Sequence, residues 1–219
     1  MKRLLLAAAL SLACGSAPAA VSVRLIVTEQ DKAWAEGAAR VVLEWAPRIE
    51  AALGAPAVSN RTVTLEFKDM PGVAHSSGDT ITISTGWIRR RPDDLGMVVH
   101  ELTHVVQAYP GRQPGWMVEG IADHVRYFTY EPAVGAAFKP RRGQSDFRAG
   151  YLPAAAFLNW IDQRTDGNLI QELNTLARDG KMTEAWLAEK GGAPLDQLWG
   201  EYLREAHEPK EEKSAPPKP

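Results

Sequence analysis

The 219-residue chain contains one cysteine, Cys14, and it stands within the first twenty residues. No disulfide framework can hold the fold together, and no thiolate cluster can hold a metal. An excess of basic charge is also missing. Against 25 Lys and Arg stand 27 Asp and Glu, which leaves no footprint for binding a nucleic-acid backbone. Long apolar runs are absent beyond the N-terminus, and the run found there, Leu4–Ala13, is shorter than the roughly 20 residues a membrane-spanning helix needs. There is no internal repeat.

The N-terminus has the anatomy of an export leader. Lys2 and Arg3 precede Leu4–Ala13, and the small residues Ser16-Ala17-Pro18-Ala19-Ala20 follow. The spacing predicts a signal peptide over residues 1–20, cut near Ala19 or Ala20, and a secreted or periplasmic mature protein. Losing Lys2 and Arg3 leaves 23 basic residues against 27 acidic ones, a net charge of −4. A lipid anchor on Cys14 fits less well, because Ser11 stands where a lipoprotein signal carries an aliphatic residue. At the other end His207–Pro219 is charged and proline-rich, and is expected to stay disordered. Residues 21–206 between them have the length of one domain with an ample core.

Within that domain, Val21–Val27 alternates apolar and polar residues and reads as a strand. From Asp31 to Leu53 the residues Trp34, Ala38, Val41, Val42, Trp45 and Ile49 follow helical spacing, with Asp31 as cap, Pro47 as a kink and Gly54 as the stop. Arg61–Phe67 and Asp79–Ile83 alternate again. The second half reads as helices: Pro92 to Tyr109, Trp116–Tyr130, Ala154–Arg164, Leu169–Arg178, Thr183–Ala188 and Leu195–His207. Strands gathered in one half and helices in the other predict an α+β domain, not a doubly wound one.

The chemistry is concentrated in His100-Glu101-Leu102-Thr103-His104. Positions i and i+4 share a helix face, so both imidazoles can converge on one zinc ion, with Glu101 beside them to act on a water. Leu95, Val98, Leu102, Val105, Val106 and Tyr109 fall on the opposite side and would bury the helix there. A solvated helix face carrying HExxH by chance would need no acidic helix nearby, yet one follows. Glu119 and Asp123 are themselves an i, i+4 pair, so one carboxylate can complete the metal shell while the other orients a histidine. On an isolated helix that pair would read as the polar back of an apolar stripe. An elongated motif with a third histidine would need His at position 110 and Gly at 107, which are Pro110 and Gln107. His124 points away from the Glu119 and Asp123 face. His75 reads as a polar residue of a loop, and His207 begins the tail.

HELTHVVQ at 100–107, PGWMVEGIADHVR at Pro114–Arg126 and Gly150-Tyr151 ahead of a helix together resemble the basic secretory protein family of plants and bacteria, which is classed with zinc metallopeptidases. The resemblance runs from about Val21 to Tyr202. This sequence departs from the family in carrying His124 where Tyr is usual, and in being acidic. The spacing of Glu119 and Asp123 is also similar to that of gluzincins. The resemblance implies a zincin-like fold, a small mixed or antiparallel sheet packed on the HExxH helix, with a helical C-terminal half. It implies zinc on His100, His104 and Glu119, with Asp123 supporting a histidine, Glu101 as general base, Tyr151 as donor to the oxyanion, and a peptide or protein substrate. It further implies that the Thr80–Ser84 strand is the sheet edge lining the cleft. Two other readings stay open: a zinc amidase or glycopeptidase acting on cell-surface polymers, and a noncatalytic secreted binding protein that keeps the zinc fold.

Overall fold

The computed structural model describes residues 4–6, 21–55, 60–141, 143, 146–149 and 151–208. Cys14, the expected cleavage site and the tail beyond Glu208 lie outside the described residues. Among the described residues five strands, β1 (Leu4–Leu6), β2 (Ser22–Val27), β3 (Thr62–Lys68), β4 (Ala74–Ser77) and β5 (Thr80–Ser84), form one mixed sheet in the order β1-β2-β3-β5-β4. The three central strands are parallel, and each flanking strand runs antiparallel to its neighbour. Alternation sets the register. Val63, Leu65 and Phe67 of β3 are buried, and Leu65 lies between Leu25 of β2 and Ile81 of β5. A slip by one residue would turn this apolar row to the opposite face.

Two sequence expectations change here. His75 lies on a strand, not in a loop, and that strand, β4, is the sheet edge; β5 is paired on both sides. Only four residues long and rich in polar side chains, Ala74–Ser77 carries no apolar alternation to betray it. It is a strand because β5 offers it a ladder.

Helix α1 (Lys32–Leu53) packs on the sheet through Ala35, Ala38, Val42, Ile49 and Leu53, all fully buried. It continues through Pro47 and stops at Gly54, whose φ of 62° is the left-handed turn glycine accepts without strain. Asp31 does not cap it. Its buried carboxylate accepts from the Thr28 hydroxyl and pairs with Arg89 at 3.2 Å. A short helix α2 (Thr85–Arg90), capped by the Ser84 hydroxyl, was not legible as a separate element. The next helix, α3 (Gly96–Gln107), begins later than Pro92, with the Asp94 carboxylate accepting from the Met97 N–H, and ends before Tyr109.

After α3 the regular elements among the described residues are helical, the longer ones being α4 (Gly115–His124), α5 (Pro132–Ala137), α6 (Tyr151–Asp162), α7 (Leu169–Arg178), α8 (Glu184–Gly191) and α9 (Leu195–His207). The molecule is thus an α+β fold, with the sheet and α1 on one side and helices filling the C-terminal half. No helix among the described residues is long and apolar enough to cross a membrane. The expected Trp116–Tyr130 helix is α4 followed by a π-helical turn over Val125–Tyr130, closed by the Glu131 N–H to the Arg126 carbonyl at 2.7 Å. Where α4 meets α6, a side chain on Gly120 would stand 3.0 Å from Leu158 and 3.2 Å from Ala154. Bare backbone at that position lets the helices close up. Behind α6, Phe147, Phe157 and Trp199 form an aromatic cluster, with ring centroids of Phe157 4.7 Å from Phe147 and 5.3 Å from Trp199.

Candidate metal centre

The histidine helix is held on almost every side. Met97, Val98, Leu102, Val105 and Val106 are buried in the core, and Arg178 of α7 donates to the Val106 carbonyl at 2.6 Å, one of the carbonyls left unpaired at a helix C-terminus. His100 and His104 remain half-buried and line a cleft of about 790 Å³. Glu101, Glu119, Asp123 and Tyr151 line the same cleft, as do Ala74, His75 and Ser76 of the edge strand.

Apolar packing aims the carboxylates. Met117, Gly120, Ile121 and Ala122 bury the other faces of α4, which leaves Glu119 turned toward α3. Its Oε2 lies 3.2 Å from His100 Nε2 and 3.3 Å from His104 Nε2, and the two Nε2 atoms are 3.1 Å apart. A tetrahedral ion with ligands at about 2.0 Å needs donors spaced about 3.3 Å apart, so this triangle fits a small divalent cation such as zinc. Two nitrogens and one carboxylate oxygen also leave a fourth position for water or substrate.

The second ring nitrogens are fixed as well. His100 Nδ1 donates to Asp123 Oδ1 at 2.7 Å, and His104 Nδ1 donates to Gln107 Oε1 at 2.7 Å. Each contact turns Nε2 toward the triangle. Burial alone would lower the His100 pKa, but hydrogen bonds with Asp123 and Glu119 outweigh it and raise it to about 9. Burial raises Glu119, yet its bonds to His100 and His104 win and bring it down to about 2. The pocket therefore favours a positive charge among its carboxylates, which a proton or a metal ion can supply.

Glu101 is 8% exposed, and among the described residues its carboxylate has no hydrogen-bond partner. Tyr151 is exposed at the first turn of α6, its ring 6.2 Å from that of His100, and the charge of Glu119, followed by burial, raises its pKa. His124 is elsewhere, stacked on Phe128 with Nε2 3.3 Å from Asn159 Oδ1. His207 bonds the Pro140 carbonyl.

Several cleft residues were not singled out from the sequence. Gln107 is one, although its i+3 spacing from His104 was legible. Arg126 and Tyr127 are others, carried into the cleft by the π turn; Arg126 is clamped by Asp94 at 2.6 Å and Glu131 at 3.1 Å. No spacing rule anticipates a π turn.

Among solved structures, the M1 zinc metallopeptidase from Deinococcus radiodurans is similar at 14% identity and a TM-score of 0.49, over 95% of this chain and 53% of that enzyme. This chain thus spans about half the length of that enzyme. No curated protein matches the chain. Residues 19–202 match the family described as peptidase of plants and bacteria, the family its motifs resemble, and the chain belongs to it.

Proposed function

We propose that this chain is an exported zinc-dependent peptidase. The observation that carries the reading is the donor triangle of His100, His104 and Glu119 opening into the cleft that also holds Glu101. When bound there, zinc supplies Lewis-acid polarisation of a water and of the scissile carbonyl.

The chain's own residues do the rest. Glu101, with an unengaged carboxylate in the cleft, takes a proton from the attacking water and passes it to the leaving amine. Asp123 holds His100 in orientation through Nδ1. The Tyr151 phenol, at the mouth of the cleft beside His100, donates its O–H to the oxyanion as the carbonyl carbon becomes tetrahedral. An extended peptide pairs with the open edge of β4, whose Ala74, His75 and Ser76 line the cleft. The leader over residues 1–20 delivers the enzyme across a membrane.

The test is zinc quantification on the mature protein alongside peptide-library cleavage, with the parent, a chelated sample and Glu101→Gln. The variant keeps size and hydrogen-bonding shape and touches no donor of the triangle. It should retain zinc and lose about 10²–10⁴-fold or more in rate. Cleavage by Glu101→Gln at the parental rate would overturn the mechanism.

A further inference from the structure

The two histidines of the triangle have unlike supports. Behind His100 stands a carboxylate, Asp123, and behind His104 stands a neutral amide, Gln107. Gln107 is 2% exposed, at the last turn of α3. Its Nε2 donates to the Val118 carbonyl at 3.1 Å, and its Oε1 lies 2.7 Å from His104 Nδ1.

An amide has two chemically distinct ends, and here the backbone decides which end goes where. The Val118 carbonyl can only accept, so it takes the NH₂ end, and the oxygen must then face His104. An amide oxygen can only accept, so His104 Nδ1 must carry a hydrogen. Its Nε2 is left as a lone pair, pointed at the His100 and Glu119 donors. The same amide joins α3 to α4 at the residue directly before Glu119. One side chain therefore sets the tautomer and ring angle of one donor and tethers the backbone beside another.

We infer that Gln107 is a positioning residue for the metal site, forcing His104 into the Nδ1–H tautomer because the Val118 carbonyl fixes the amide's orientation. The inference rests on the metal-site reading given above.

Two substitutions separate this role from mere packing. Gln107→Met keeps the length and removes both hydrogen bonds. Gln107→Glu keeps an oxygen for His104 but loses the donor to Val118. Zinc dissociation constants by chelator competition, and melting temperatures of the chelated proteins, are measured for both variants and the parent. Both variants should melt below the parent, because each loses the bond to Val118. Only Gln107→Met should lose zinc affinity, by about 10–100-fold, while Gln107→Glu binds within a few-fold of the parent or tighter. Undiminished zinc affinity in Gln107→Met would overturn the proposal alone. Equal loss of affinity in the two variants would also overturn it, since the Val118 tether would then account for the whole effect. A folded parent that binds no zinc would bring down the metal-site reading and this proposal with it.

Discussion

The buried positions of α3 include Glu101, Thr103 and Gln107, whereas those of α6 are Ala154, Ala155, Ala156, Phe157, Leu158, Trp160 and Ile161. Both helices pass through the interior, but their polar content differs because their neighbours ask for different things. The α6 side chains meet Phe147, Trp199 and Tyr202 and gain from area removed from water. Of the polar groups around α3, Thr103 bonds back to the Val99 carbonyl, Gln107, and Asp123 of α4, hold histidines, and Glu101 lines the cleft. Burying a polar group costs free energy unless it is paired, so a wall carrying this many is organised around chemistry, and the aromatic side supplies stability.

That division can be broken by experiment. The largest separation is the loss of rate expected for Glu101→Gln with folding unchanged. Its mirror image is Phe157→Ala, which removes a fully buried ring shared by Phe147 and Trp199. It should lower unfolding stability by about 3–5 kcal/mol in urea titration, while the folded fraction still binds one zinc. Loss of zinc stoichiometry in the folded fraction would mean that the two regions are not separate.

A smaller effect sharpens the contrast between the histidine supports. Asp123→Asn keeps an acceptor for His100 Nδ1–H and removes the charge, so zinc should bind about tenfold more weakly, with the fold intact in chelator. Parental affinity there would show that the charge behind His100 is dispensable.

The smallest effect is at the end of α3. Ala108 is an exposed residue at φ 37°, a left-handed conformation that costs a side chain energy and that glycine accepts. Ala108→Gly should raise stability by about 0.5–1 kcal/mol in denaturant titration and leave zinc affinity unchanged. A destabilised Ala108→Gly would mean that the methyl group packs against the cleft more tightly than its exposure indicates.

What the sequence determined by itself is local. The spacing of His100 and His104 places two imidazoles on one face wherever a helix forms, because the helical repeat is a property of the backbone. Alternation in β3, the glycine stop of α1 at Gly54 and the helical pattern of Leu169–Arg178 are local in the same sense, and the structure has them where the residues put them. Long-range geometry decided the rest. β4 has no signal of its own and exists because β5 is beside it, so the edge strand went to the wrong candidate. The approach of Asp123 to His100, and of Gln107 to the Val118 carbonyl, depends on how α3 and α4 cross, which the bare Gly120 and the packing of α6 set from behind. A crossing angle is the sum of contacts between residues far apart in sequence, and no window along the chain contains it.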